Sequence, residues 1–188
     1  MKKICLFLLL CLVPLVTSAQ YSKFYDNTGE VKGSFSLPDT VKYLVLKFDF
    51  SETVFDKKYN EEDWALLNGK ENWEAAKKEA LERIVKMMNE KMTKTRIIMV
   101  LEEMATPDNP KIQSNYTFYI VPLSYSKLGR NRSVFVLKNN VTNDFVGCVS
   151  DYGSGANFGS LGNLLGDAYE DSAPRVAKKI ASYNKFGK

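Results

Sequence analysis

The chain has 188 residues, with 26 Lys and Arg against 22 Asp and Glu, and it contains no histidine. The lack of histidine excludes catalytic sites of the Ser-His-Asp and Cys-His types, zinc sites with histidine ligands, and the commonest proton carrier near neutral pH. The small net charge of +4, without a long basic run, gives no reason to expect binding to nucleic acid or to an anionic membrane surface.

The amino terminus has the pattern of a bacterial secretory signal peptide. Lys2 and Lys3 precede an apolar run over 4–16 that is too short to span a bilayer, and residues 17–19 are small, as a cleavage site requires. We therefore expect an exported protein, periplasmic or secreted, whose mature chain begins at Gln20. That mature chain is long enough for one domain with a hydrophobic core.

Cysteine is sparse. Cleavage after residue 19 would leave Cys148 alone, so no intrachain disulfide could form and stability must come from the hydrophobic core. Cys148 lies in the apolar run 145–149, which is typical of a strand. We interpret it as a small buried hydrophobic residue and not as a reactive thiol. Outside the signal no apolar stretch approaches the roughly 20 residues of a transmembrane helix.

The first predicted elements are an arm and a strand. Residues 20–40 are polar and rich in turn formers, and we expect a loosely attached amino-terminal arm with one short edge strand near 34–37. A strand is predicted over 41–50, because apolar side chains alternate with polar ones. That period is typical of a sheet with helices on one face and a more polar opposite face. The apolar positions are Leu44, Leu46, Phe48 and Phe50.

Two helices follow this strand. Asn60 is a good amino-terminal cap for a short helix over 61–67, which Asn68 and Gly69 end. A long amphipathic helix is predicted over 72–92, because apolar residues recur there at steps of three and four.

Four further strands are predicted in the second half of the chain. Residues 96–102 are apolar on both faces, and we interpret them as a central strand. In the next strand, 116–125, Pro122 indicates an edge position or a bulge. The strands 133–138 and 144–150 flank a five-residue loop and should form a hairpin.

The last element is a helix over 160–183, which Pro174 should kink or split. The order strand, helix, four strands, helix predicts an α/β fold of the α+β type, a two-layer sandwich in a single domain over 41–188. We expect a mixed sheet of about five strands with two long helices packed on one face.

A glycine-rich segment, 151–163, supplies one set of candidate binding residues. It leads from a strand into a helix, where backbone N–H groups can face an anion, but its spacing matches neither a P-loop nor a dinucleotide fingerprint. Gly162 and Gly166 would share one helix face, and we favour a structural role in which that face lies close to the sheet. The candidates are Tyr152, Gly153, Gly155, Asn157 and Asn163.

Acidic residues between the first strand and the long helix supply the other candidates, Asp49 and Glu52. A glycosidase needs two carboxylates about 5 to 9.5 Å apart, and a calcium loop needs acids and amides around a glycine, which residues 56–58 do not provide. Solvated acids near helix starts are the simpler explanation. We predict no catalytic residue, no metal and no cofactor. Six aromatic residues could stack on sugar rings, although at least one set of those in 116–125 should belong to the buried core: Tyr116, Tyr119, Tyr125, Tyr152, Trp64 and Trp73.

Two stretches carry a resemblance to known proteins: Phe48-Asp49-Phe50-Ser51 followed by Trp73, and residues 157–168 before the final helix. They resemble a group of small, uncharacterised secreted proteins of Bacteroidetes-type bacteria, although Pro174 departs from the usual pattern. The order of elements also looks like that of the amino-terminal domain of TolB and related envelope assembly proteins. The resemblance implies an envelope or secreted protein and no particular chemistry.

These observations lead to the expectation of a non-catalytic envelope or secreted module that binds a protein, peptide or glycan partner and no nucleic acid. The alternative is a carboxylate-dependent hydrolase acting on glycans, and a third possibility is a structural subunit of a surface assembly. Carboxylates that converge in one cleft would favour the enzyme, whereas a polar sheet face or an exposed apolar groove would favour the binding module.

Overall fold

The computed structural model describes residues 20–26, 28–106, 108–109, 112–155 and 159–185. The predicted signal peptide and the candidate Asn157 lie outside these ranges. None of the described helices is long and apolar enough to cross a membrane.

The described residues form seven strands and four helices. In chain order these are β1 (Val31–Gly33), β2 (Tyr43–Phe48), β3 (Val54–Phe55), α1 (Glu61–Asn68), α2 (Lys70–Lys91), β4 (Ile98–Leu101), β5 (Tyr116–Tyr125), β6 (Asn131–Asn139), β7 (Phe145–Gly153), α3 (Leu161–Asp167) and α4 (Ser172–Tyr183).

All seven strands belong to one mixed sheet. The order across it is β1-β7-β6-β5-β2-β4, and β3 pairs with β5 beyond the end of β2. The pairs β1–β7, β5–β6 and β6–β7 are antiparallel, whereas β2 runs parallel to both β4 and β5. The α/β class and the mixed sheet are confirmed, with two more strands than the five predicted.

The main core lies between one face of the sheet and the helices α2, α3 and α4. Leu44 and Leu46 of the first predicted strand are fully buried there as expected, although Val45 between them is buried as well. Trp73 and Ile84 of α2 are also fully buried, so the apolar stripe of the long helix faces the sheet as predicted. The neighbouring strands contribute Phe118, Ile120, Phe135 and Leu137.

The opposite sheet face is partly apolar, in contrast to the polar face that we predicted. Val134, Val136 and Cys148 are buried there beneath Tyr21 and Phe24 of the arm. Cys148 is 4% exposed, which confirms the prediction of a buried thiol. The arm covers this face because the strands β5, β6 and β7 are apolar on both sides near their centres.

The arm is part of the fold on both sides of the sheet. The arm contains an edge strand, as predicted, but this strand, β1, lies at 31–33 and not near 34–37. It pairs with β7. The residues that follow it, Phe35 and Leu37, are buried in the main core. Burial of these side chains explains why a segment with many turn-forming residues has a fixed position.

The interpretation of 96–102 as a central strand is wrong, because β4 lies at one edge of the described sheet. The outward N–H and C=O groups of Met99 in this strand are bonded to a side chain. The Nδ2 group of Asn89 donates to the carbonyl of Met99 at 3.0 Å, and the Met99 N–H donates to Oδ1 of Asn89 at 2.8 Å. The carboxamide therefore takes the place of a neighbouring strand, which protects the edge from pairing with another chain.

Removal of this carboxamide should destabilise the protein. We expect Asn89→Ala to lower the free energy of unfolding by about 2 kcal/mol, because two partly buried backbone groups lose their partners. Asn89→Asp keeps the acceptor for the Met99 N–H but places a carboxylate against the Met99 carbonyl, so it should not restore stability. Urea unfolding measures both changes, and a loss below about 0.5 kcal/mol in Asn89→Ala would contradict the role of this side chain.

The final helical segment is split in two, as the prediction for Pro174 allowed. The break lies at 168–171. Pro174 is the third residue of α4, within the first turn, where backbone N–H groups have no intrahelical acceptor and a proline therefore costs no helical hydrogen bond. Gly162 and Gly166 share one face of α3, but that face meets α2 and not the sheet. A Cβ atom on Gly162 would lie 2.0 Å from the Glu79 carboxylate, and one on Gly166 would lie 2.7 Å from the Arg83 guanidinium.

Candidate functional site

A groove of about 880 Å³ opens at the end of the hairpin β5–β6, on the sheet face that carries the arm. It combines apolar, aromatic, hydroxyl and charged side chains, which is the mixture found in ligand-binding clefts. Its lining residues are Tyr25, Val54, Asp56, Lys57, Leu123, Ser124, Tyr125, Ser126, Arg130, Asn131, Arg132 and Tyr152.

The strand register places three of these side chains in a row across the sheet. Arg132 of β6 lies opposite Ser124 of β5 on one side and opposite Tyr152 of β7 on the other. Directly paired residues of antiparallel strands project from the same face. Val134, two residues further along β6, is buried beneath the arm on that same face. The row is therefore the continuation of this face beyond the part that the arm covers.

Two tyrosines of the groove, Tyr25 of the arm and Tyr152 of the row, each have a guanidinium close to their ring. The Arg132 guanidinium carbon lies 6.0 Å from the centre of the Tyr25 ring, and that of Arg175 lies 5.7 Å from the centre of the Tyr152 ring. Such cation–π contacts hold an exposed ring in place. Tyr152 is 67% exposed, so most of its surface is available to a ligand.

The groove has an excess of positive charge. Lys57, Arg130 and Arg132 line it, and Asp56 is the single carboxylate among the described lining residues. None of the three cations lies within salt-bridge distance of a carboxylate in the described part of the chain. Oδ1 of Asp56 accepts a hydrogen bond from the Lys127 N–H at 2.8 Å, so this carboxylate has a structural partner.

A strained turn forms one wall of the groove. Asp56 has φ 47° and Lys57 has φ 66°, and the Lys58 N–H closes the turn on the carbonyl of Phe55 at 3.0 Å. A left-handed backbone costs a residue such as Lys57 about 1–2 kcal/mol. The surrounding structure offsets this strain, because Phe55 is fully buried and forms a β-bridge with Tyr59 on the other side of the turn.

A smaller recess of about 420 Å³ adjoins the groove and shares Tyr25 and Tyr152 with it, but the two carboxylates and two cations among its described lining residues balance in charge. Arg175 holds both carboxylate oxygens of Asp151, at 2.8 and 3.0 Å. Asp26 lies 2.8 Å from the ammonium of Lys32. Lys179, the other cation of the recess, donates to the carbonyl of Gly29. Of these two cavities, the larger groove is therefore the one with an excess of positive charge among its described lining residues.

The Asp26 contact predicts a pH dependence of the arm. The Lys32 ammonium and the Thr28 hydroxyl hold the pKa of the Asp26 carboxyl at about 2. Because this pKa is lower than in the unfolded chain, the contact stabilises the arm above the unfolded value near 4 and is lost as the pH falls toward 2. An NMR titration should therefore place the Asp26 midpoint well below 4, and Lys32→Ala should raise it. An unchanged midpoint in Lys32→Ala would contradict this assignment.

The structure places Tyr152 in the groove and the two candidate glycines beside it as packing positions. Gly153 lies opposite Asn131, and a Cβ atom on it would be 1.7 Å from the carbonyl oxygen of Ala168. Gly155 has φ +70°, and its Cβ atom would lie 2.1 Å from the carbonyl oxygen of Leu128. Both positions need glycine because another backbone segment occupies the space of a side chain.

The acidic candidates lie against the arm. The carboxylate of Glu52 accepts hydrogen bonds from the backbone N–H groups of Tyr21 and Ser22, at 2.6 and 2.8 Å. Asp49 accepts one from the Ser51 N–H at 3.0 Å. Burial, followed by the charge of Asp49, raises the pKa of Tyr21. These two carboxylates therefore face the first residues of the arm.

Asn163 is bound to the long helix. Its N–H donates to the Ser160 hydroxyl, which caps α3, and its carbonyl and side-chain oxygens both accept from Arg83 at 3.3 Å. The described candidates thus lie in three places: beside the groove, against the arm, and on α3 next to the long helix. Among them, Tyr152 is the one that lines the groove. Among the described residues, no three Asp, Glu or Cys side chains form a group that could hold a metal ion.

The prediction from sequence missed Tyr25, Lys57, Arg130 and Arg132. One signal could have found Arg132, since it continues the period of two from Val136 and Val134 onto an exposed position at the start of β6. No local signal links these residues to Tyr152, because their meeting depends on the order of the strands.

Comparison with known proteins adds little to this geometry. No known protein family matches the chain, and no curated protein resembles it. Among solved structures, the PelC dodecamer from Paraburkholderia phytofirmans is 11% identical over 84% of this chain and 99% of its own, with a TM-score of 0.38. A point variant of that dodecamer is also 11% identical, over 81% of this chain and 98% of its own, with a TM-score of 0.41.

Proposed function

We propose that this protein is a non-catalytic, exported binding module and that the groove at the end of β5–β6 is its binding site. The observation that carries this proposal is the composition of the groove. Its described lining residues include an exposed tyrosine, three cations with no described carboxylate within salt-bridge distance, and one carboxylate, which accepts a backbone hydrogen bond. Such a site is suited to holding a ligand by charge and stacking. A glycosidase would need a second carboxylate across the cleft.

The proposal is tested by retention of envelope components on the immobilised chain 20–188. We expect wild-type protein to retain a component that Arg132→Ala and Tyr152→Ala lose, because both side chains line the groove. Lys94→Ala is the matched control, since it removes one exposed positive charge that does not line the groove. All four proteins should melt at similar temperatures, because these side chains lie at the surface.

Two outcomes would overturn the proposal. One is equal retention by wild type and both groove variants, which would place binding elsewhere. The other is release of products from a glycan library by the wild-type protein, which would favour the carboxylate-dependent hydrolase.

A further inference from the structure

We infer that the groove binds an acidic glycan, a chain of sugars that carry carboxylates, such as a polyuronate. This inference rests on the proposed function and names the class of ligand for the same site. It is drawn from three features: the charge of the groove, the position of its aromatic ring, and the kinds of ligand that its location excludes.

The charge favours an anionic ligand. Lys57, Arg130 and Arg132 line the groove. Asp56, the one carboxylate among its described lining residues, accepts a hydrogen bond from a backbone N–H. A guanidinium presents two parallel N–H donors that match a carboxylate, which makes arginine the usual partner of carboxylate ligands. Two arginines two residues apart at the start of β6 could meet carboxylates on a repeating ligand.

The row Ser124–Arg132–Tyr152 has the chemistry that a sugar requires. A sugar ring has an apolar C–H face, which packs on an aromatic ring, and a rim of hydroxyl groups, which need polar partners. Tyr152 supplies the ring. The Arg175 guanidinium lies over one face of that ring, 5.7 Å from its centre, and the 67% exposure of Tyr152 leaves surface for a sugar. The hydroxyls of Ser124 and Ser126 line the same groove. Because Arg132 lies between Tyr152 and Ser124 in the register, one sugar could contact all three.

The location of the groove disfavours a peptide ligand. An extended peptide binds by adding a strand to a sheet edge, but the edge strands β1 and β4 do not line the groove. The short edge strand β3 does line it through Val54, but the outward N–H and C=O groups of Phe55 in β3 are both bonded to Tyr59, at 2.8 and 2.9 Å. A helical peptide needs a continuous apolar groove, and the aliphatic side chains among the described lining residues are only Val54 and Leu123. A glycan requires neither a free strand edge nor an apolar trough.

The test is calorimetric titration of the chain 20–188 with oligogalacturonate and with a neutral galactose oligomer of the same length. We expect the acidic oligomer to bind and the neutral one not to bind measurably. Arg132→Ala should raise the Kd at least about tenfold. The Kd of Arg132→Lys should lie between those of the wild type and Arg132→Ala, because lysine keeps the charge but loses the two parallel N–H donors of the guanidinium. Lys94→Ala should bind like the wild type, and added salt should weaken binding throughout.

Several results would overturn the assignment. If the neutral oligomer bound as tightly as the acidic one, recognition of the ligand by charge would be refuted. Binding of poly-glutamate or of oligothymidylate, without binding of the acidic oligomer, would assign the groove to an acidic peptide or to a nucleic acid. If the groove variants still lose envelope retention while no acidic glycan binds, the groove remains the binding site and only the class of ligand is wrong.

Discussion

Gly153→Ala should lower the free energy of unfolding by about 3–5 kcal/mol. The added Cβ atom would lie 1.7 Å from the carbonyl oxygen of Ala168 and 2.5 Å from Nδ2 of Asn131. Nδ2 of Asn131 donates to that same carbonyl at 2.8 Å, so the methyl group would separate the two partners of a buried hydrogen bond. Overpacking costs about 1–3 kcal/mol, and the loss of a buried polar pair adds about 1–3 kcal/mol.

The effect should extend along a buried polar chain. The Ser133 hydroxyl donates to Oδ1 of Asn131 at 2.8 Å and lies 3.1 Å from the hydroxyl of Tyr169. Burial raises the pKa of Tyr169, so this hydroxyl stays protonated. The chain joins β6 to the turn between α3 and α4, and displacement of Ala168 should loosen that junction as a whole.

Gly29→Ala is the matched control for this prediction. Gly29 has φ +64°, but the nearest atoms to an added Cβ are 3.6 Å away, so the change carries backbone strain of about 1–2 kcal/mol without a clash. Urea unfolding of the two variants separates steric overlap from strain. If Gly153→Ala were no more destabilising than Gly29→Ala, the close contact between β7 and the α3–α4 turn would be refuted.

Asn184→Ala should cost about 2–4 kcal/mol. Asn184 is 2% exposed, and its carboxamide makes three of its four possible hydrogen bonds. Its Oδ1 accepts from the Leu37 N–H at 3.0 Å, and its Nδ2 donates to the carbonyls of Phe35 and Ile180 at 2.7 and 2.9 Å. Alanine would leave the backbone groups of the arm without partners in a buried place.

Asn184→Asp separates charge from shape at this position. The carboxylate keeps the acceptor for Leu37 but faces two carbonyl oxygens, so burial should raise its pKa in the folded state. A raised folded pKa means that the variant is closest to wild-type stability below about pH 4 and loses stability as the pH rises. Asn184→Ala should show no such trend relative to wild type, and the exposed Asn72→Asp should change stability by less than about 0.5 kcal/mol. Stability that is independent of pH in Asn184→Asp would contradict this prediction.

Several elements follow from sequence alone, because short-range physics decides them. The period of two in β2 predicted the burial of Leu44 and Leu46, although Val45 between them is buried as well. Asn60 caps α1 as expected, with Oδ1 accepting from the Asp63 N–H at 2.8 Å. Gly69 ends that helix at φ +83°. Pro122 lies at a bulge of β5, at a point where neither β2 nor β3 pairs with that strand. A proline is tolerated there because no neighbouring strand needs its backbone N–H.

Burial on both faces does not fix the position of a strand in a sheet. The residues of β4 have the apolar pattern of a central strand, and Val100 and Met99 are buried. The edge position is possible because a side chain from α2, Asn89, satisfies the outward backbone groups. Nothing near β4 in the sequence indicates that contact, since it depends on how the helix crosses the sheet.

The sequence by itself determined most of the secondary structure, the fold class and the burial of Cys148, because periodicity and turn chemistry act over a few residues. Only the tertiary structure decided which residues form the groove. Tyr25, Lys57, Arg132 and Tyr152 come from four separate segments, and they meet because β6 lies between β5 and β7 and because the arm crosses that face. Sequence period reports which face of a strand is buried, whereas the order of the strands sets which exposed side chains become neighbours.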